Sequence, residues 1–336
     1  MEKNLKIGII AIVALILVIA IAIITVPNIS GAFTLSEQKE TTTVRMGSLP
    51  VINALPIYLA IEKGYFKEAG INLELTKFEA PNQIIDGIMQ GNLDFTSTAG
   101  PAGVSAVADF KNPGKLKIYA LSGGTITTPN DAIIIPIDSD IKSLSDLKGK
   151  KLGIIGGSIQ WKMLAAYLLN KNHLEANKDV TIVEIPIGTH LTAIASKQVD
   201  ALLTLEPSVS LITSKGVGKV LINGPLENTL SDPFYPGAGI VSTKFAKENP
   251  NTTAKVIEII KKATKEVEEN PNESRKYLKN YTPLTDDLIS IVPLVIVKTC
   301  DEFNENDLEG LQKFYNIFTD FNAIDGKIKA EGLIYC

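Results

Sequence analysis

The chain of 336 residues is predicted to be an α/β protein made of two similar lobes, each a largely parallel sheet with helices on both faces. Three observations predict this. From Val44 to Leu121, short strand-like runs alternate with helical stretches. A second series of the same kind follows Asp131. The two series also match in detail: Leu93-Asp94 opens a strand with Pro101 seven residues beyond the aspartate, and Val199-Asp200 opens another with Pro207 at the same offset.

The first series reads as strand Val44–Gly47, a helix over Ala54–Lys63, strand Asn72–Leu75, a helix over Asn82–Met89, strand Leu93–Ser97, a helix over Ala102–Asp109 and strand Leu116–Leu121. Gly64 supplies a left-handed stop to the first helix, and Gly70 stops a short helix that follows it. The second series reads as strand Lys151–Ile155, helix Ser158–Leu169, strand Val180–Ile185, helix Leu191–Lys197 and strand Ala201–Leu205. Toward the C-terminus a helical pattern starts at Phe245. Asn249-Pro250 divides a short first turn from a main helix at Thr252–Glu269, because the residue before proline is pushed out of the helical region. Asn270-Pro271 ends that helix, another follows at Glu273–Lys279, and the last lies near Asp307–Phe321.

The N-terminal end differs from the rest. Ile7 to Val26 is an uncharged apolar run of 20 residues preceded by Lys3 and Lys6, and as a helix it would cover roughly 30 Å, enough to cross a bilayer. The lysines favour a cytoplasmic N-terminus and place the remainder outside the cell. An uncleaved anchor and a cleaved signal peptide, with small residues at Ser30-Gly31-Ala32, both fit. Residues 27–42 read as a tether.

Beyond Val26 there are 31 basic and 36 acidic residues. A mildly acidic domain with no basic cluster argues against nucleic acid as a partner. Arg45 and Arg275 are the only arginines, so a bidentate clamp on an anion has few candidates. Cys300 and Cys336 either pair in an oxidising exterior or stay as two thiols. No G-x-S-x-G elbow, P-loop, H-E-x-x-H or strand-to-helix G-x-G-x-x-G is present. Binding without turnover, with no cofactor and no metal, is the reading these absences favour.

The run Pro56-Ile57-Tyr58-Leu59-Ala60-Ile61-Glu62-Lys63-Gly64-Tyr65-Phe66-Lys67-Glu68-Ala69-Gly70 closely resembles the opening of the nitrate/sulfonate/taurine family of solute-binding proteins, which serve ABC importers. Ser143 to Gly153, Gly156-Gly157-Ser158, Val199-Asp200-Ala201, Glu206-Pro207 and Glu248-Asn249-Pro250 extend the resemblance in order. It implies a type II periplasmic-binding-protein fold: two Rossmann-like lobes joined by two crossover segments, closing on a ligand between them. The implied layout is a membrane anchor or signal over 1–26, a tether over 27–42, one lobe from 43–128 with 236–336, and the other from 129–235. It further implies a small anionic or zwitterionic solute, with an ABC permease and its ATPase as partners and the membrane reached through the N-terminal segment. A thiamine-pyrimidine precursor is an alternative cargo. A pyrimidine-synthase enzyme branch on the same fold needs a cysteine-rich iron site, which this chain lacks.

Candidate contacts follow from the loops beyond the strands' carboxyl ends, where open α/β sheets hold ligands. Ser48 and Pro50 follow the first strand and Asn53 precedes its helix. Thr98 and Gly100 occupy the equivalent loop after the third strand, and ordinary turn chemistry explains these residues equally well. Gly157 and Ser158 sit at a helix start whose free amides favour an anion, or they form a simple N-cap. Glu206 either pairs with a ligand amine or caps the following helix. Gly124 and Thr125 begin the first crossing, and Tyr235 at the second either covers the ligand or packs in the core. Trp161, His173 and His190 read first as core or surface residues, and Asp94 and Asp200 as turn-holding carboxylates.

Overall fold

The computed structural model describes residues 41–336. The apolar run over 7–26 and all but the last two tether residues lie outside the described residues. In chain order the first lobe begins with β1 (Thr42–Ser48), α1 (Leu55–Glu62), α2 (Tyr65–Glu68), β2 (Ile71–Lys77), α3 (Pro81–Gln90), β3 (Phe95–Thr96), β4 (Gly100–Pro101), α4 (Ala102–Lys111) and β5 (Leu116–Gly124). The chain then crosses into β6 (Asp131–Pro136), β7 (Lys151–Ile155), α5 (Ile159–Lys171), β8 (Thr181–Ile185), α6 (His190–Ala195), β9 (Ala201–Leu205), α7 (Ser208–Ser214), β10 (Gly218–Asn223) and α8 (Pro225–Thr229). It returns through β11 (Phe234–Ser242), α9 (Thr243–Glu248), α10 (Pro250–Glu269), α11 (Pro271–Ser274), α12 (Asp286–Ile291), β12 (Ile296–Thr299) and α13 (Glu305–Asp320).

Among the described residues these strands form two sheets, in the orders β12-β5-β11-β3-β1-β2, with β4 also on β11, and β10-β6-β9-β7-β8. The expectation of largely parallel sheets is corrected to mixed ones. β1 runs parallel to β2 and β3, and β7 to β8 and β9. β11 is antiparallel to β3, β4 and β5, and β6 is antiparallel to β9 and β10. Only strands joined by a helical crossover must run parallel. β5 and β11 carry the chain out of the first lobe and back, so they lie beside each other in opposite directions.

The helix stops follow local chemistry. Gly64 (φ 74°) and Gly91 (φ 78°) take the left-handed conformation at the ends of α1 and α3. Asn249 and Asn270, each before a proline, share φ −132° and ψ 58° and bracket α10. That helix lays Val256, Ile260 and Ala263 over Val44, Met46 and Phe95 of the first sheet. The second sheet packs Ile134 and Leu202 against Ile194 and Ile212. The internal repeat is structural as well: Arg45 N–H donates to Asp94 Oδ2 (2.9 Å) and Lys151 N–H to Asp200 Oδ2 (2.8 Å), each across 49 residues. Asp94 and Asp200 thus pin the starts of β3 and β9 to β1 and β7, at the end of each sheet away from the following helices.

The two crossovers meet at a buried group of polar side chains. Asp131 opens β6, Glu227 lies in α8, and Asn130 N–H donates to Glu227 Oε1 (2.9 Å). Both oxygens of the Asp131 carboxyl, Glu227 Oε2 and the side-chain amide of Asn130 have no hydrogen-bond partner among the described residues. Burial, reinforced by the neighbouring Glu227, pushes Asp131 well above the usual carboxyl range, and burial raises Glu227 too. Asp232, also acidic, pushes Glu227 in the same direction. A carboxyl held protonated in the folded chain and released in the unfolded one contributes stability below the unfolded pKa of about 4, and loses it as pH rises toward the folded value. Urea midpoints measured from pH 4 upward should therefore fall with pH through this pair, and Asp131→Asn should flatten that slope and stabilise the protein at neutral pH.

The tail is fixed by a disulfide between Cys300 and Cys336, with Cα atoms 5.8 Å apart across 36 residues of sequence. Tyr335 N–H donates to Ile118 O (2.8 Å) beside it. On the chain-entropy account, closing a loop of this length stabilises the fold by about 4 kcal/mol. Cys300→Ser with Cys336→Ser should lower the unfolding free energy by about 2–4 kcal/mol in denaturant titrations, and dithiothreitol should bring the wild type down to the same value.

Candidate functional site

One cavity lies where the loops beyond the strand ends of both lobes face each other. Leu49, Val51 and Asn53 follow β1, Pro81 starts α3, and Ala99, Gly100 and Pro101 follow β3. From the other lobe come Gln160 and Trp161 at the start of α5 and Leu205 at the end of β9, while Pro236 and Gly237 of β11 close it. The cavity has a volume of about 310 Å³ and is partly open to solvent.

Two polar atoms here are left without a partner among the described residues. Asn53 is 3% exposed, and its Nδ2 donates to Ser122 Oγ (3.1 Å) while Oδ1 has no partner. Ser122 Oγ in turn donates to Thr98 O (2.6 Å), and the Thr98 hydroxyl donates to Asn53 O. This ring fixes the Asn53 amide. Ser158, the residue before α5, is 1% exposed, makes no side-chain cap, and its Oγ is unpaired. A buried polar atom without a partner costs about 1–3 kcal/mol; Asn53 Oδ1 can only accept and so favours a donor, whereas the Ser158 hydroxyl can donate to a ligand or accept from one.

Of the residues expected from sequence, Asn53 and Gly100 line the cavity, and Ser158 adjoins the α5 residues that do. Ser48 lies behind the wall, its hydroxyl bonded to Leu49 O (3.0 Å) and Ser97 Oγ (2.7 Å), and Pro50 is outside it. Gly124 and Thr125 belong to the first crossover, where Thr125 Oγ1 joins the hydroxyls of Thr127 and Thr128. Three residues expected to face a ligand are engaged elsewhere. The Gly157 N–H donates to Glu184 Oε2 (2.9 Å), a carboxylate held below its usual pKa by Lys162 at 2.7 Å. Glu206 accepts from Ser210 N (3.1 Å) and Ser210 Oγ (3.0 Å), so it caps its own helix, and burial raises its pKa. Tyr235 turns away and donates to Asp307 Oδ1 (2.6 Å), where Lys298 and the N-terminus of α13 also converge.

Gln160 and the apolar wall were not foreseen. A glutamine in the first turn of a predicted helix carries no sequence signal of its own, and the apolar residues flank the hydroxyls that drew attention. Trp161 is both a core residue and a wall of the cavity. Among the described residues no lysine, arginine, histidine or carboxylate lines the cavity. Arg45 makes a bidentate pair with Asp94, and Arg275 holds Asn272 Oδ1 and Val292 O. His190 is buried between Thr204 Oγ1 (2.8 Å) and Ile185 O (3.2 Å), and desolvation lowers its pKa to about 4. Because a carbonyl can only accept, Nε2 carries the proton and Nδ1 receives the threonine hydroxyl. No group of three histidine, cysteine, aspartate or glutamate side chains among the described residues is placed to hold a metal ion.

Two α/β lobes joined by two crossovers around such a cavity define the class as the two-lobed fold of solute-binding proteins. Residues 51–274 match the family described as NMT1/THI5 like, and the chain belongs to that family. A Bacillus subtilis protein named as an aliphatic sulfonates-binding protein is 28% identical over 309 residues, covering 89% of this chain and 87% of its own. The alkanesulfonate-binding protein SsuA from Xanthomonas axonopodis pv. citri, solved bound to MOPS, superposes with a TM-score of 0.72 at 19% identity over 88% of this chain and 99% of its own. The periplasmic nitrate-binding protein NrtA from Synechocystis superposes with a TM-score of 0.69 at 15% identity over 87% of this chain and 84% of its own.

Proposed function

We propose that the chain is the solute-binding component of an ABC importer, working outside the cytoplasm without turnover, and that its cargo is a small organic anion of the sulfonate type. The observation that carries this reading is the cavity: an apolar wall of leucine, valine, proline and tryptophan, with the start of α5 in it and the unpaired buried hydroxyl of Ser158 beside it. Helix starts favour an oxyanion and the wall favours an alkyl or aryl body, which bare nitrate lacks. For a taurine-like amine the cavity offers an acceptor at Asn53 Oδ1 but no counter-charge, because Glu206 lies outside its lining and is bonded to Ser210.

In the same proposal, residues 43–128 with 236–336 form one lobe and 129–235 the other. These lobes close on the cargo and present it to a permease and its ATPase. The run over 7–26 holds the protein at the outer face of the membrane. Homology to binding proteins for sulfonates and nitrate supports transport over synthesis.

Thermal shift tests the reading. Alkanesulfonates should raise the melting temperature with concentration as RT ln(1 + [L]/Kd), more than nitrate does, and more as the alkyl chain lengthens to fill the wall. A panel of sulfonates, nitrate, taurine and aminopyrimidines that leaves the melting temperature unmoved would reject it. Ser158→Ala should weaken the best sulfonate about three- to tenfold in calorimetry, the worth of one hydrogen bond, without lowering the unfolding midpoint of the ligand-free protein.

A further inference from the structure

We infer that Gln160 is an internal stand-in for the solute, occupying the donor at the start of α4 and holding the empty cleft shut. The side chain is 2% exposed and spans the two lobes. Its Oε1 accepts from Gly103 N–H (2.7 Å), in the first turn of α4, and its Nε2 donates to Pro236 O (3.0 Å) on the returning strand β11. Gly103 N–H has no acceptor within its own helix, so it is a donor that either a ligand or another part of the protein must satisfy. Here a neutral carboxamide does so from across the cleft. A further bond between lobes, Asn82 N–H to Gly157 O (3.1 Å), lies at the start of α3.

This assignment rests on the cleft being the solute site, and it adds a rule for entry. A sulfonate oxygen is a charged acceptor, and charge-assisted bonds are roughly twice as strong as neutral ones. The positive end of the α4 dipole increases that advantage. An anion therefore displaces the Gln160 carboxamide from Gly103 N–H at a net gain. A neutral solute of the same shape gains no more than the glutamine gave up. Gln160 thus sets a threshold for selectivity in addition to keeping the empty cleft closed.

The test compares wild type with Gln160→Ala and Gln160→Met, the latter keeping length and packing without either hydrogen bond. Small-angle scattering of the ligand-free proteins should show a compact wild type and a larger radius of gyration in both variants. Two ordinary hydrogen bonds correspond to a roughly tenfold shift in the closed-to-open ratio. Stopped-flow binding of butanesulfonate should show association about tenfold faster in the variants. The neutral butyl methyl sulfone, which the wild type should not bind, should bind both. Superimposable ligand-free profiles, or an unchanged association rate, would overturn the assignment. Should Gln160→Ala fail to fold, Gln160→Met decides. If butanesulfonate binds none of the three proteins, the solute reading fails, while the ligand-free scattering still decides whether Gln160 is a latch.

Discussion

The antiparallel ladder between β5 and β11 is the constraint on which the rest of the molecule depends. It runs from the pair Leu116 and Ser242 to the pair Gly124 and Phe234, so the outgoing and returning chains leave the first sheet at the same end and side by side. The approach is close enough that a Cβ on Gly123 would fall 1.9 Å from Phe234 O. Both crossovers therefore start from one place, and the second lobe is attached there alone by covalent connection. The buried Asp131 and Glu227 carboxyls lie just beyond it. The same ladder sets Ser122 opposite Gly237 and beneath Asn53 and Thr98. The root of the two crossovers and the floor of the cavity are thus one piece of sheet.

That arrangement explains the character of the cavity. Its polar groups are neutral: an asparagine, a glutamine, a serine nearby and helix amides. The charged residues that sequence makes prominent are spent elsewhere, Arg45 on Asp94 at the far end of the first sheet, Glu206 on α7 and Glu184 on Lys162 and Gly157. A buried charge without a partner carries a large desolvation cost, whereas neutral donors can be shared between an internal partner and a ligand.

Much of the fold was legible before any coordinates. Glycine stops at Gly64 and Gly91, the Asn-Pro breaks that bracket α10, and the matched offsets at Asp94 and Asp200 are local signals, and each has a local structural counterpart. The site was legible only in part. Strand-end logic located Asn53, Gly100 and the start of α5. It could not separate Ser158, whose hydroxyl is free, from Gly157, whose amide is taken by a carboxylate from 27 residues away in β8. Tyr235 stands at the start of β11, and its direction is set by Asp307, 72 residues further on.

The sequence by itself determined the α/β class, the repeated half, the stops of α1, α3 and α10 and the family, because these depend on residues within a few positions of one another and on backbone preferences that act everywhere alike. Tertiary structure alone decided which hydrogen-bonding groups remain available. Whether a buried amide or hydroxyl is satisfied depends on partners brought from the other lobe or from the C-terminal helix, as at Gln160 with Gly103 and Pro236. No spacing along the chain records those meetings, since they arise only when two sheets and their crossovers are packed together.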